Sequence, residues 1–250
     1  MDIEKRVLDY WTVRAHDFGI VRRNEIRDGV SARWGAELDS LLPGSGLRIL
    51  DVGTGTGYFA VLLGAKGHDV IGIDLTPAII DEAKALAGDL GVSAEFEVMD
   101  AQSLGFPDEC FDAVVTRNLT WTLPAPERAY AEWLRVLKPG GLLLNYDANW
   151  YAHLYDAELR RAYEADRQAT QEAGIKDEYV GTDIDAMEDI ARQMPLSPVE
   201  RPAWDEGVLH EFGATQIEVD PQVWERVFSP EERVNYASTP MFRVKARKAQ

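Results

Sequence analysis

Seven residues, Asp51-Val52-Gly53-Thr54-Gly55-Thr56-Gly57, constrain this chain more than any other stretch. Glycine at every second position removes Cβ atoms where the backbone must turn and a ligand must come close. The run before it, Leu47-Arg48-Ile49-Leu50-Asp51-Val52, reads as a buried strand, and Tyr58 to Lys66 reads as a helix. A helix start so placed presents unpaired N–H groups to whatever lies in the loop. The alternative is a tight strand-to-helix turn that holds nothing.

The same alternation continues downstream. Asp69–Ile73, Glu95–Val98, Phe111–Thr116 and Leu142–Tyr146 have strand character. Between them, Pro77 to Leu90 is helical with Thr76 as N-cap and Pro77 in the first turn. Pro126 to Leu137 is a helix that Lys138-Pro139-Gly140-Gly141 stops. Strands alternating with helices predict parallel βαβ units. Thr215–Val219 and Met241–Lys245, with turn-rich sequence between them, predict an antiparallel addition at one edge. The expected fold is therefore a Rossmann-like, doubly wound, mostly parallel seven-stranded α/β sheet with an antiparallel edge strand. Residues 1–44 would form an N-terminal helical cap, 45–150 the core, 151–200 a helical lid insertion, and 201–250 the last helix and closing strands.

Charge narrows the partners. The chain has 26 basic and 43 acidic side chains, net −17, and the acid is spread over both halves. Phosphate backbones and anionic membranes are held by lysine and arginine, so neither nucleic acid nor a membrane surface is the expected partner. A small molecule is. The single cysteine, Cys110, excludes an internal disulfide and a four-cysteine metal site, and no other metal constellation stands out. The first residues lack an apolar signal segment, so the expected compartment is the cytoplasm. Oligomeric state is not legible.

Two ligand classes fit the loop. Gly55-Thr56-Gly57-Tyr58-Phe59-Ala60, with Asp74 nineteen residues after Gly55, satisfies a permissive dinucleotide fingerprint and keeps a nicotinamide-dependent oxidoreductase open. However, Asp51-x-Gly53-x-Gly55-x-Gly57, Gly72-Ile73-Asp74, Met99-Asp100-Ala101 and Phe106-Pro107-Asp108-Glu109-Cys110-Phe111-Asp112 together resemble the class I S-adenosylmethionine-dependent methyltransferases. The likeness is to the small-molecule branch related to the ubiquinone and menaquinone biosynthesis methyltransferases, and Glu127 to Gly141 matches that branch before its fifth strand. It covers about residues 45–147 and is nearly silent on the acceptor.

The resemblance implies S-adenosylmethionine as methyl donor and S-adenosylhomocysteine as product. It implies that Asp51 and the Gly53, Thr54, Gly55, Gly57 loop meet the methionine portion and Asp74 the ribose hydroxyls. Leu75, Asp100 and Ala101 would lie around the adenine, with Asn118 near the methionine end. The leading helix, with Tyr10, Trp11 and Phe18, would cover the cofactor, and Arg14 would meet its carboxylate. A carboxylate at position 51 suits a ligand bearing an ammonium and a sulfonium and repels a pyrophosphate.

Methyl transfer by direct displacement chiefly needs alignment and exclusion of water, and a base only if the acceptor binds protonated. Asn118-Leu119-Thr120-Trp121 lies where nitrogen-methylating relatives keep an Asn/Asp-Pro-Pro-aromatic motif, but lacks both prolines. Trp121 either walls the acceptor site or packs under the lid. Residues beyond the fifth strand face the crevice of such a sheet, which makes Asp147, Asn149, Tyr151 and His153 the acceptor-site candidates, with His16 the rival to His153 as base. Asp177, Glu178, Asp183, Asp185, Glu188 and Asp189 form either a selector for a cationic acceptor or a solvated helix face. The expected function is methylation of a small molecule at nitrogen or oxygen. A module that binds the cofactor without catalysis remains the second alternative.

Overall fold

The computed structural model describes residues 3–27, 31–177 and 182–250. In chain order these form α1 (Ile3–Arg27), α2 (Ser31–Leu41), β1 (Arg48–Val52), α3 (Tyr58–Gly64), β2 (Asp69–Asp74), α4 (Pro77–Leu90), β3 (Glu95–Val98) and β4 (Phe111–Arg117). Then come α5 (Pro126–Val136), β5 (Leu137–Asp147), α6 (Ala157–Glu172), α7 (Ile184–Ala191), α8 (Ala203–Glu211), β6 (Thr215–Asp220), α9 (Trp224–Val227), α10 (Pro230–Asn235) and β7 (Phe242–Arg247).

The seven described strands make one sheet in the order β3-β2-β1-β4-β5-β7-β6. The first five are mutually parallel, and β7 runs antiparallel to both β5 and β6. The expected antiparallel addition is thus present, with β7 inside it and β6 outermost. Connections lead left from β1 to β2 and right from β4 to β5, so the loops after β1 and β4 diverge and open a crevice at the carboxyl ends of the strands.

Alternation along β1 builds both layers of the core. Ile49 packs with Trp34, Phe59, Ile80 and Tyr146 on the α2–α3–α4 face, and Leu50 and Val52 pack with Phe111, Tyr130 and Trp133 on the α5–α8 face. Tyr130 and Trp133 are wholly buried, as the helical spacing of α5 requires, and side chains of this size stabilise by roughly 1.5–3 kcal/mol each. A third cluster lies above the crevice, where Trp121, Met187, Ile190 and Met194 pack with Val7, Tyr10 and Trp11 of α1.

Three local expectations shift. Thr76 occupies the N-cap of α4, but its side chain caps nothing; its own N–H instead donates to Asp74 Oδ1 at 2.9 Å. β5 begins at Leu137, directly after α5, because Leu137 is already extended and pairs with Phe111; Gly140 then sits at φ +73° where the register shifts. The turn-rich stretch between the last strands contains α9 and α10, the latter started by a capping box in which Ser229 Oγ accepts from Glu232 N–H and the Glu232 carboxylate accepts from Ser229 N–H. No helix among the described residues is long and apolar enough to cross a membrane.

Candidate functional site

Two adjoining cavities occupy the crevice. The first, about 310 Å³, lies over the ends of β1, β2 and β4, and among its lining residues are Asp51, Gly53, Thr54, Gly55, Asp74, Leu75, Asp100, Ala101 and Asn118. The sequence placed all nine at one ligand, and the fold brings them together. Gly53 has φ +65°, a left-handed backbone that favours glycine, and a Cβ there would come within 2.8 Å of the Leu119 side chain from the loop after β4, which would have to turn aside. Gly57 has a different task. It lies outside the cavity wall at φ +82°, where a Cβ would be 3.1 Å from Ala83 and Phe96, so its absent side chain lets α3 settle on α4 and β3.

Asp51 is sealed beneath the loop, accepting from Thr54 Oγ1 at 2.6 Å and Ala60 N–H at 3.1 Å. Burial pushes its carboxyl up to about 7, only partly offset by those two donors. Asp74 accepts from Gly55 N–H at 3.2 Å, tying the end of β2 to the loop, and burial raises its pKa too. Asp100 accepts from the Gln102 backbone and side chain, and the Ala101 carbonyl accepts from Trp133 Nε1 at 3.0 Å.

Several polar atoms of residues in this wall are buried with no hydrogen-bond partner among the described residues: Thr56 Oγ1, Tyr58 Oη, Arg117 Nε, Asn118 Oδ1 and Thr122 Oγ1. Folded proteins leave few such groups unsatisfied. Similar unpartnered atoms occur away from this cavity as well, at Asn145, Ser197 and Arg243 among others.

The second cavity, about 490 Å³, shares Trp11, Phe18, Arg22, Arg117, Asn118, Trp121 and Tyr151 with the first, and extends under α1, α6, α7 and α10 to Tyr10, Arg14, His153, Tyr163 and Glu188. Both volumes fall within the range of small-molecule sites. Trp121 and Tyr151 form an aromatic wall, ring centroids 4.8 Å apart, and Trp121 Nε1 donates to the Asn118 carbonyl at 3.1 Å. His153 stacks on Tyr163 at 4.2 Å with Nε2 3.5 Å from Glu188 Oε1; burial holds its pKa below the usual histidine range, so it is neutral near pH 7.

Other expectations are corrected. Tyr10 and Arg14 face the second cavity rather than the first. Asp147 lines neither: it is fully buried, paired with Arg201 Nη1 at 2.5 Å and accepting from Trp121 N–H and Trp150 Nε1. Asn149 is likewise spent on the Arg201 backbone, donating at 2.8 Å and accepting at 3.2 Å. His16 stands on the outer face of α1, bonded to Glu82 at 3.1 Å.

The acidic cluster does not assemble. Asp177 pairs with Arg167, Asp183 caps α7, Asp189 lies 3.6 Å from Arg192, and only Glu188 reaches the cavity; Glu178 lies outside the described residues. No cluster of three or more metal-ligating side chains occurs among the described residues.

The sequence reading passed over Arg22 and Arg117. Arg22 is clasped by Glu25 and lies over the rings of Phe18 and Tyr58. Arg117 is buried over Trp34 with Glu232 Oε1 4.0 Å away, and burial lowers its pKa. Both were within reach of sequence rules. Arg117 ends β4, and Arg22 continues the inward stripe Val7, Trp11, Arg14, Phe18 along one helical face.

Residues 50–145 match the family model described as a methyltransferase domain. A ubiquinone biosynthesis O-methyltransferase of Chelativorans sp. (strain BNC1) is 32% identical over 128 residues, covering 51% of each chain. The demethylmenaquinone methyltransferase of Thermus thermophilus is 38% identical over 119 residues, 46% of this chain and 54% of that one. The chain thus spans about half the length of the curated relatives it matches. Among solved structures, Haemonchus contortus phosphoethanolamine N-methyltransferase 2, in complex with phosphomonomethylethanolamine and S-adenosylhomocysteine, superposes with a TM-score of 0.61 at 18% identity. That alignment covers 86% of this chain and 52% of the other, and shows the fold alone.

Proposed function

We propose that the protein binds S-adenosylmethionine in the first cavity and methylates a small molecule held in the second, a reading supported by the match of residues 50–145 to a family model described as a methyltransferase domain. The observation that carries this reading is the convergence of Asp51, Asp74 and Asp100, at or just beyond the ends of β1, β2 and β3, on the cavity that the glycine loop also lines. A ligand with an ammonium, ribose hydroxyls and an adenine amino group offers a donor to each of the three. A pyrophosphate would meet the Asp51 carboxylate instead, which argues against a dinucleotide.

Asp74 is assigned the ribose hydroxyls, Asp100 the adenine amino group, Asp51 the ammonium side of the methionine portion, and Arg22 or Arg117 its carboxylate. The cofactor supplies a methyl group on a sulfonium carbon that needs no further activation. The chain's own part is alignment and dryness: Trp11 and Trp121 border both cavities and exclude water from the line between donor and acceptor. Where the acceptor arrives protonated, neutral His153 is the group of the second cavity placed to take the proton. Oxygen is favoured over nitrogen as accepting atom. The Chelativorans relative is named an O-methyltransferase, and Asn118-Leu119-Thr120-Trp121 lacks the paired prolines of nitrogen-methylating relatives.

Calorimetric titration with S-adenosylmethionine, S-adenosylhomocysteine and NAD tests the assignment. Both sulfur compounds should bind at micromolar levels and NAD should not. Asp74→Ala should weaken their binding about 10- to 100-fold, the worth of one or two charge-assisted hydrogen bonds. Binding of NAD alone overturns the reading.

A further inference from the structure

The second cavity does not share the net acidity of the whole molecule: Arg14, Arg22, Arg117 and Lys176 stand against Glu25, Glu188, Glu231 and Glu232 in its lining. Its inner carboxylates are engaged: Glu25 by Arg22, Glu188 by Arg160 and Arg192 at 3.1 Å each, and Glu232 by the Ser229 N–H and Arg117. Glu231, the remaining acid of the lining, is exposed on the first turn of α10. Arg14 is in the opposite position. It has no carboxylate partner among the described residues, its Nε is buried without a hydrogen bond, and it faces the second cavity alone, whereas Arg22 and Arg117 face both. Beside it the wall is aromatic, from Tyr10 and Trp11 on α1 to Trp121 and Tyr151 opposite. A cationic acceptor would find three of the four lining carboxylates already paired and, in Arg14, a guanidinium with no carboxylate partner among the described residues. An anionic one would satisfy that guanidinium with a charge-assisted, two-point hydrogen bond.

We propose that the acceptor is an aromatic molecule carrying an anionic group, held by Arg14 while the ring lies against Trp121 and Tyr151. The proposal rests on the methyltransferase reading of the adjoining cavity. It runs against the cation-selecting alternative that the acidic sequence of residues 151–200 left open beside a solvated helix face.

The test uses the full chain loaded with S-adenosylhomocysteine and four probes that share one ring: 4-hydroxybenzoate, 4-hydroxybenzyl phosphate, 4-hydroxybenzyl alcohol and 4-hydroxybenzylamine. At least one anionic probe should bind about 10-fold or more tighter than the alcohol, with the amine weakest. R14Q should bring the anionic probes down to the affinity of the alcohol while binding of S-adenosylhomocysteine is unchanged, which also reports that the variant is folded. R14K, which keeps the charge but not the fork, should retain part of the preference. The proposal is overturned if the amine binds tightest, if anion and alcohol bind alike, if the preference survives in R14Q, or if no probe binds the loaded protein. Failure of the wild type to bind S-adenosylhomocysteine at all would strike the methyltransferase reading instead.

Discussion

Asp51 is held in a place that suits its neutral form better than its charged one. Its folded pKa of about 7 lies above the 3.8 of a free aspartate, so between those values the folded chain binds a proton more tightly than the unfolded chain. The stability owed to protonated Asp51 is therefore complete below about pH 4 and lost as pH rises through about 7. Asp51→Asn keeps an acceptor for Ala60 and removes that loss. Its melting temperature should exceed the wild type's by about 5 °C near pH 8 and converge with it near pH 4, as scanning calorimetry would show. A ligand ammonium beside the carboxylate favours ionisation. Binding of S-adenosylmethionine should then release a proton near pH 7 and tighten from about pH 6 to about pH 8, read from titrations in buffers of different ionisation enthalpy. At this scale the first cavity was legible because its residues follow one another along strand ends and loops. Asp147 was not, since the arginine that neutralises it lies 54 positions away. His16 failed for a geometric reason: two positions beyond Arg14 on a helix is roughly 200° around the axis, on the far face.

Elements here are joined by buried charge as well as by apolar packing. Arg201, just before α8, bridges Asp147 at the end of β5 and Asp205 within α8, and Tyr130 of α5 donates to Asp205 at 2.6 Å. All four side chains are essentially inaccessible. Replacing the arginine leaves two carboxylates without a counter-ion in the interior, a change that costs about 3–5 kcal/mol. Arg201→Met should lower the urea midpoint accordingly, and adding Asp147→Asn and Asp205→Asn to it should recover part of the loss. None of this was visible as a motif. The strands of the parallel core were, because their apolar runs and helical partners alternate over a hundred residues. α9 and α10 escaped because four and six residues are too few to display a helical period.

For the whole molecule, a net charge of −17 means self-repulsion that folding must hold together. Screening relieves it, so raising the salt concentration from about 0.02 M to about 0.2 M should raise the melting temperature by a few degrees. A lower melting temperature in salt would instead mean that the surface ion pairs outweigh the repulsion. The same excess argues against a nucleic-acid partner, yet it does not describe the second cavity, whose lining balances four cations with four carboxylates. A sum over the chain does not see how charges pair locally.

The two cavities differ in where along the chain their walls originate. The first is built largely between positions 50 and 124, within the stretch that recurs in relatives, whereas most of the second comes from α1 and from residues after 149. Changes confined to the segments after residue 149 would therefore reshape the second cavity while meeting the first only at Trp150, Tyr151 and Tyr236.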